Sequence, residues 1–339
     1  MKQLRFLIAR IDRIGDVVLS TPLPREIKKK YPNSYISILV KNYTKDIYLN
    51  NPFVDSIITF DNENSTEKSF WSLVKEIRSL HFTHAFMLLP QEKLNYVLFA
   101  SGIPYRVGVG HRLFQFLTFT KYINRKKYNP LKHESEYCLD MLRKVGIEVE
   151  SNLPDIFLDK NETEQVKNNK EKLKEGKKII IGVNVSSGNS APNLTIEAYK
   201  KLILNLKENN NYKILVMDKI IPKDIDNISD VLYPNIGNNL RDSIINFACL
   251  DMLISNSTGP MHICAALKIP TLALFCPLTA CSPKLWGPVG NKSEIILPTQ
   301  EYCNKNCPID PKKCDYSKEG GLKAEYIVER TNHFINSLK

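Results

Sequence analysis

The sequence predicts an α/β protein built from two doubly wound parallel sheets. Three observations carry this. Short apolar runs alternate with amphipathic helical stretches through the first 150 residues, the pattern of strands joined by crossover helices. A polar, Lys/Glu/Asn-rich stretch over residues 159–178, a linker or exposed helix at a domain boundary, then interrupts the alternation, and after it the alternation restarts. The domains so predicted are residues 1–165 and 176–321, with residues 322–339 a terminal helix that packs back on the first domain.

Taken in order, residues 4–9 form an apolar strand that runs into Arg10-Ile11-Asp12-Arg13-Ile14-Gly15-Asp16. Pro22 and Pro24 suit only a first helical turn, so the helix that follows is regular over 24–30. Strands at 35–40 and 56–60 come next. Residues 69–80 place Phe70, Leu73, Val74, Ile77 and Leu80 on one helical face. A strand at 85–89, a helix at 94–100, a short strand at 106–109 and a helix at 134–145 complete the first set. The second set reads strand 178–183, polar loop 184–193, helix 195–207, strand 212–217 and helix 240–248.

Residues 253–274 are the most informative stretch. Leu253-Ile254 closes an apolar run, and Asn256-Ser257-Thr258-Gly259 favours a turn and a cap. Pro260 fits the first helical position, where its missing N–H costs nothing. Ile263, Ala266 and Leu267 recur at helical spacing, and 270–275 is a buried strand. This layout aims backbone N–H groups and a helix dipole at one spot suited to a phosphate or diphosphate. Ser257 and Thr258 add hydroxyl donors, and His262 lies on the first turn. An ordinary capped helix accounts for the same stretch equally well. At the carboxyl end of the first strand, Gly15 lets a substrate approach the backbone, and the Asp16 carboxylate can accept a proton from a hydroxyl. Arg10 and Arg13 could hold phosphate. A helix N-terminal acid placed by the macrodipole is the plain alternative for Asp16.

Composition narrows the class. At 43% hydrophobic and 24% charged, the chain is that of a globular protein. Lys+Arg 47 against Asp+Glu 36 gives a net charge of +11, which suits an anionic partner. No nucleic-acid motif or Arg/aromatic stripe accompanies the charge, so nucleic acid is not expected as a partner. Arg106, Arg112, Arg125, Lys126 and Lys127 could meet phosphates or anionic lipid, or be plain surface charge. The apolar run Phe6-Leu7-Ile8-Ala9 ends at Arg10, too short for a signal peptide, and no run approaches a membrane span. The expectation is a cytoplasmic protein with peripheral contact at the inner membrane face.

Of eight cysteines, Cys138, Cys249, Cys264 and Cys276 sit in apolar surroundings as buried thiols. Cys303, Cys307 and Cys314 cluster, but their spacing matches no standard metal pattern unless Cys281 joins them. No metal and no cofactor are expected. Asp224-Ile225-Asp226 has a D-x-D form but reads as solvated surface, and the first loop lacks the G-x-G-x-x-G of a dinucleotide site.

Several separated segments together resemble a family: RIDRIGDVVLSTPLPREIKKKYPNSYISILV, NPFVDSIITF, YRVG, HESEYCLDMLRKVGI and NSTGPMHICAALKIPTLALFCP. In this order, from about residue 4 to residue 297, they are similar to glycosyltransferase family 9, the heptosyltransferases of lipopolysaccharide core synthesis. The resemblance implies a GT-B fold: two Rossmann-like domains facing a cleft, acceptor on the first, sugar nucleotide on the second, and inversion without a metal. It implies Asp16 as general base, taking the proton of an acceptor hydroxyl. It implies Thr258 and Gly259 as diphosphate binders through backbone N–H groups, with Ser257 and His262 beside them, Ser187 and Asn193 as further donor contacts, and Asp218 as a contact to a ribose hydroxyl. The implied donor is ADP-heptose and the implied acceptor a lipid-linked oligosaccharide. The chain departs from the family pattern at three places. Ser257 stands where the family often has Asp, Asn193-Leu194-Thr195 where it has a cation before Trp-Pro, and Asp218-Lys219 where it has Gly-Gly. Those departures leave open a different sugar nucleotide, or a non-catalytic sugar-nucleotide or glycan-binding protein.

Overall fold

Two six-stranded sheets, all of whose neighbouring strands pair in parallel, carry the chain. In this computed structural model the chain divides into two units, residues 1–157 and 158–339. The residues described are 3–125, 129–188 and 191–338; Lys126 and Lys127, among the basic residues named above, lie outside them.

The first unit runs β1 (Arg5–Ala9), α1 (Ile14–Val18), α2 (Pro22–Lys30), β2 (Tyr35–Val40), β3 (Ser56–Thr59), α3 (Phe70–Ser79), β4 (His84–Met87), α4 (Glu92–Ala100), β5 (Tyr105–Val109), α5 (Leu113–Leu117), β6 (Lys121–Ile123) and α6 (Glu134–Lys144). Its strand order is β3-β2-β1-β4-β5-β6. β1 and β4 are neighbours, so the order reverses there and leaves a crevice beyond the end of β1. Leu7, Ala9, Leu39, Ala85 and Met87 pack under α3 and α4 in one core layer. Near-continuous burial along β1, β2 and β4 is what a sheet covered on both faces requires.

The second unit runs α7 (Lys160–Lys174), β7 (Ile179–Val183), α8 (Ile196–Lys207), β8 (Tyr212–Val216), β9 (Val231–Leu232), α9 (Leu240–Ala248), β10 (Met252–Asn256), α10 (Gly259–Ala266), β11 (Thr271–Leu274), α11 (Pro283–Trp286), β12 (Ser293–Ile296), α12 (Gln300–Asn306) and α13 (Ala324–Ser337). The sheet order β12-β11-β10-β7-β8-β9 is the same order as in the first unit, read from the other edge. Its reversal falls between β7 and β10.

Of the two alternatives for the polar stretch after residue 159, linker or exposed helix, the structure shows the helix: α7 has fifteen residues and none is buried. Asp159 starts it through a capping box with Glu162, and it packs on α9, so it belongs to the second unit. Ala324–Ser337 was expected to return to the first domain. Its apolar side, Ile327, Phe334 and Ile335, instead fills the second unit's core beside Tyr199, Leu202 and Ile203 of α8. An amphipathic stripe shows that a helix packs, but not on which partner. The strands β6, β9 and β12, of three, two and four residues, lie at sheet edges and carry no continuous buried apolar run, so the periodicity reading missed them.

Candidate functional site

In the first unit the crevice is built around Arg10, which follows the last residue of β1 and is 3% exposed. Its backbone N–H continues the ladder by donating to the Leu39 carbonyl at 2.9 Å. Its guanidinium is enclosed by three carboxylates and a carbonyl. Nε pairs with Asp12 Oδ1 at 2.8 Å, Nη2 donates to Asp16 Oδ1 at 2.5 Å, and Nη1 donates to the Leu88 carbonyl and to Glu134 Oε1, both at 3.2 Å. Glu134, the first residue of α6, is itself buried and accepts two bonds from Arg125 at 3.0 and 2.8 Å.

This arrangement corrects one expectation. Arg10 does not stand free to hold an acceptor phosphate; three carboxylates and a carbonyl surround it, and it fixes Asp16. Arg125 likewise holds Glu134, and Arg106 donates to the carbonyls of Ile103 and Thr118. Arg13, the N-cap position of α1, is exposed and contributes no side-chain capping bond. Gly15 lies half-buried in the same turn.

Two guanidinium groups face three carboxylates, which leaves one negative charge in excess when all are ionised. Burial pushes the Asp12 carboxyl up to about 6, against the opposing pull of Arg10, and the neighbouring Asp16 adds to the rise. The Asp16 side chain is 18% exposed, enough to meet a ligand while its other oxygen stays on Arg10. A carboxylate so oriented can take a proton from a hydroxyl.

The second unit's crevice lies at the ends of β7 and β10 and is held by amides and hydroxyls. Asp218 follows β8, is buried, and accepts four bonds. Asn184 Nδ2 and Val185 N each donate at 2.7 Å, Ser186 N at 3.0 Å and Ser186 Oγ at 2.5 Å. Burial raises its carboxyl, and these bonds oppose the rise. Asp218 is therefore not the expected ribose contact; it shapes the loop after β7. Asn184 relays this to the β10 turn, since its Oδ1 accepts from Thr258 Oγ1 at 3.1 Å and Ser255 Oγ at 3.2 Å. Asn193 is also engaged. Its Nδ2 donates to the Val185 carbonyl at 2.9 Å, and its Oδ1 accepts from Tyr199 at 2.8 Å and from Asn256.

Thr258 is the N-cap position of α10, but its hydroxyl turns inward to Asn184 and Ser255 and makes no capping bond. The expectation that the Thr258 hydroxyl faces a ligand is thus corrected, while the backbone of the first turn keeps the geometry of an anion site. Ser257 and Gly259 are half-buried and His262 is buried at the same turn. Ser187 lines a cavity of about 460 Å³ with Ser186, Gly188 and Asn193, and Lys312 and Lys313 line it from the other side. These lysines put positive charge beside the loop where Asn193 carries none.

Sequence reasoning missed Asn184, Tyr199, Asn256 and Glu134. Glu134 stood inside the HESEY segment, and Asn184 directly follows an apolar strand, a position where polar residues face a crevice. Asp224 and Asp226 are exposed, as expected of solvated surface. All eight cysteines are free thiols. Cys276, Cys303, Cys307 and Cys314 line one cavity of about 320 Å³. Among the described residues, no group of three or more His, Cys, Asp or Glu is arranged to hold a metal ion.

Two Rossmann-like units, each with its polar loops at the strand reversal, define the GT-B class of glycosyltransferases. The model of glycosyltransferase family 9 (heptosyltransferase) matches residues 70–313, and the chain belongs to that family. The chain is 24% identical over 326 residues to lipooligosaccharide heptosyltransferase 2 of Campylobacter jejuni, covering 93% of this chain and 94% of the relative. Among solved structures it is similar to a family 9 glycosyltransferase from Veillonella parvula, with a TM-score of 0.78 at 20% identity over 98% and 97% of the two chains. It is also similar to the ADP-heptose lipopolysaccharide heptosyltransferase II of E. coli, with a TM-score of 0.74 at 17% identity over 98% and 99%. The protein is a glycosyltransferase. Among the described residues no helix is long and apolar enough to cross a membrane.

Proposed function

We propose that this enzyme transfers a heptose from ADP-heptose to a lipopolysaccharide or lipooligosaccharide core acceptor with inversion, using Asp16 as general base. The observation that carries the reading is the Arg10–Asp16 contact of 2.5 Å at the carboxyl end of β1. It orients a partly exposed carboxylate without neutralising the whole cluster. As the acceptor oxygen attacks the anomeric carbon, its proton passes to Asp16 and the bond to the nucleoside diphosphate breaks on the opposite face. The first-turn backbone of α10 receives the charge of the leaving diphosphate. Lys312 and Lys313 supply the cation that Asn193 does not. Relatives named for lipooligosaccharide and ADP-heptose chemistry support the choice of sugar and acceptor. Asp12 is the second reading for the base, favoured by its carboxyl at about 6, close to a working pH.

The test has two parts. Thermal unfolding without added metal against ADP, UDP, GDP and CMP reads the donor site. A nucleotide at about 100 times its Kd adds about 2.7 kcal/mol. ADP alone should stabilise; stabilisation by UDP or GDP instead would change the sugar nucleotide, and none at all would overturn the donor site. Transfer from ADP-heptose to a heptose-deficient core, followed by anomeric NMR of the product, then reads sugar and stereochemistry. A retained anomeric configuration defeats the direct-displacement mechanism.

A further inference from the structure

The crossover between β5 and β6 exposes more apolar surface than a globular fold tolerates without cause. Leu113 is 73% exposed, Phe116 73%, Leu117 55% and Phe119 85%. Four large apolar side chains thus face outward within seven residues, whereas isolated exposed apolar residues are common and need no explanation. The segment is not loose. Gln115 is buried, accepts from Arg112 N at 2.9 Å and donates to the Val109 carbonyl at 3.1 Å. Asn95 Nδ2 donates to the Phe114 carbonyl at 3.1 Å and to Thr118 Oγ1 at 2.8 Å. Arg106 lies over the half-exposed Phe99 ring at 5.1 Å while donating to the Thr118 carbonyl, which brings Phe99 to the same surface. The polar side chains of this turn are tied inward and the apolar ones are held out.

Charge says what covers the patch. From residue 93 to residue 133 the chain carries eight Lys or Arg and neither Asp nor Glu. Of these, Arg112 and Lys121 flank the apolar residues directly and are exposed. The aromatic Tyr122, 41% exposed, stacks on His111 at 4.3 Å beside them. Apolar and aromatic side chains flanked by exposed basic residues match the interface of an anionic bilayer, where rings and leucines enter the acyl boundary and cations meet headgroup phosphates. A second copy of the chain fits poorly, because it would bring two basic rims together.

We propose that the Leu113–Phe119 turn docks the enzyme on an anionic lipid bilayer, with Leu113, Phe116, Leu117 and Phe119 inserted and Arg112 and Lys121 on the headgroups. This stands independently of the choice of donor or base.

The experiment is co-sedimentation of the full chain with vesicles of phosphatidylethanolamine and phosphatidylglycerol, and with phosphatidylcholine alone. The wild type should bind the anionic vesicles, weaken at least tenfold as salt rises from about 0.05 to 0.5 M, and bind the neutral vesicles little. Phe116→Ser/Phe119→Ser should weaken binding at least tenfold at low salt. Both side chains are exposed, so its thermal midpoint and its response to ADP should match the wild type. Equal binding by the double variant, or no vesicle binding by the wild type, overturns the proposal. A wild-type dimer in analytical ultracentrifugation that the double variant abolishes would overturn it in favour of a self-association face. A missing ADP response with intact vesicle binding would count against the donor assignment alone.

Discussion

The two units share a strand order and differ in what they place at its reversal. In the first, an ionic cluster of Arg10, Arg125, Asp12, Asp16 and Glu134 occupies the crevice. In the second, Asp218 is the one carboxylate in a web of Asn184, Asn193, Tyr199, Asn256 and Thr258. One topology therefore supports two electrostatic designs. The ionic cluster has an excess negative charge and a displaced titration, which suits moving a proton. The amide web holds its single carboxylate, Asp218, on four donors beside a helix N-terminus, which suits receiving a diphosphate.

That contrast breaks most visibly at Asp16. Asp16→Asn should lower transfer by about 10²–10⁴-fold, the usual worth of a general base, while the ADP-induced thermal shift stays at the wild-type value. Transfer within tenfold of the wild type would move the base to Asp12. Arg10→Ala should cost about 3–5 kcal/mol of stability in urea unfolding, because it removes the cation that holds Asp12 and Asp16 and leaves Glu134 to Arg125 alone; a loss below 1 kcal/mol would show that the cluster relaxes into solvent.

Smaller effects separate the second unit. Asp218→Asn presents an amide N–H to a loop of N–H donors, so it should cost about 1–3 kcal/mol and weaken ADP binding in calorimetry. An unchanged ADP affinity would detach the loop from the donor site. Tyr199→Phe removes the hydroxyl that joins Asn193 and Asn256 and should cost about 1 kcal/mol, again with Asp16-dependent proton transfer intact.

The titration of Asp12 gives the finest distinction. Its folded-state carboxyl near 6 lies above the ordinary value of about 3.9, so the folded state keeps this proton longer than the unfolded chain. Its contribution to stability is therefore lost as pH rises between about 4 and 6, by up to about 1.4 kcal/mol per unit. Comparing wild type with Asp12→Asn at pH 4.5 and 6.5 isolates it: the variant should gain on the wild type at the higher pH. A constant difference between the two proteins would mean that Asp12 is ionised throughout.

Much of the fold was legible because both sheets are buried on both faces. Burial of that kind forces continuous apolar runs such as residues 179–183 and 252–254, and the runs are visible in one dimension. The Asp16 turn and the Asn256–His262 turn were legible for the same reason, since each follows such a run. The partners were not. Arg10 looked like a phosphate ligand until Glu134, 124 positions away, was seen at 3.2 Å. Asp218 looked like a ribose contact until its four donors were seen.

The sequence by itself determined the alternation of strands and helices, the two turns and the kinds of residue at them, because these depend on local spacing and backbone preference. Only the tertiary structure decided which charges neutralise one another, where α13 packs, and that Leu113, Phe116, Leu117 and Phe119 face outward. Those outcomes rest on contacts between residues distant along the chain, and apolar spacing alone does not say whether a side chain meets a core or open solvent.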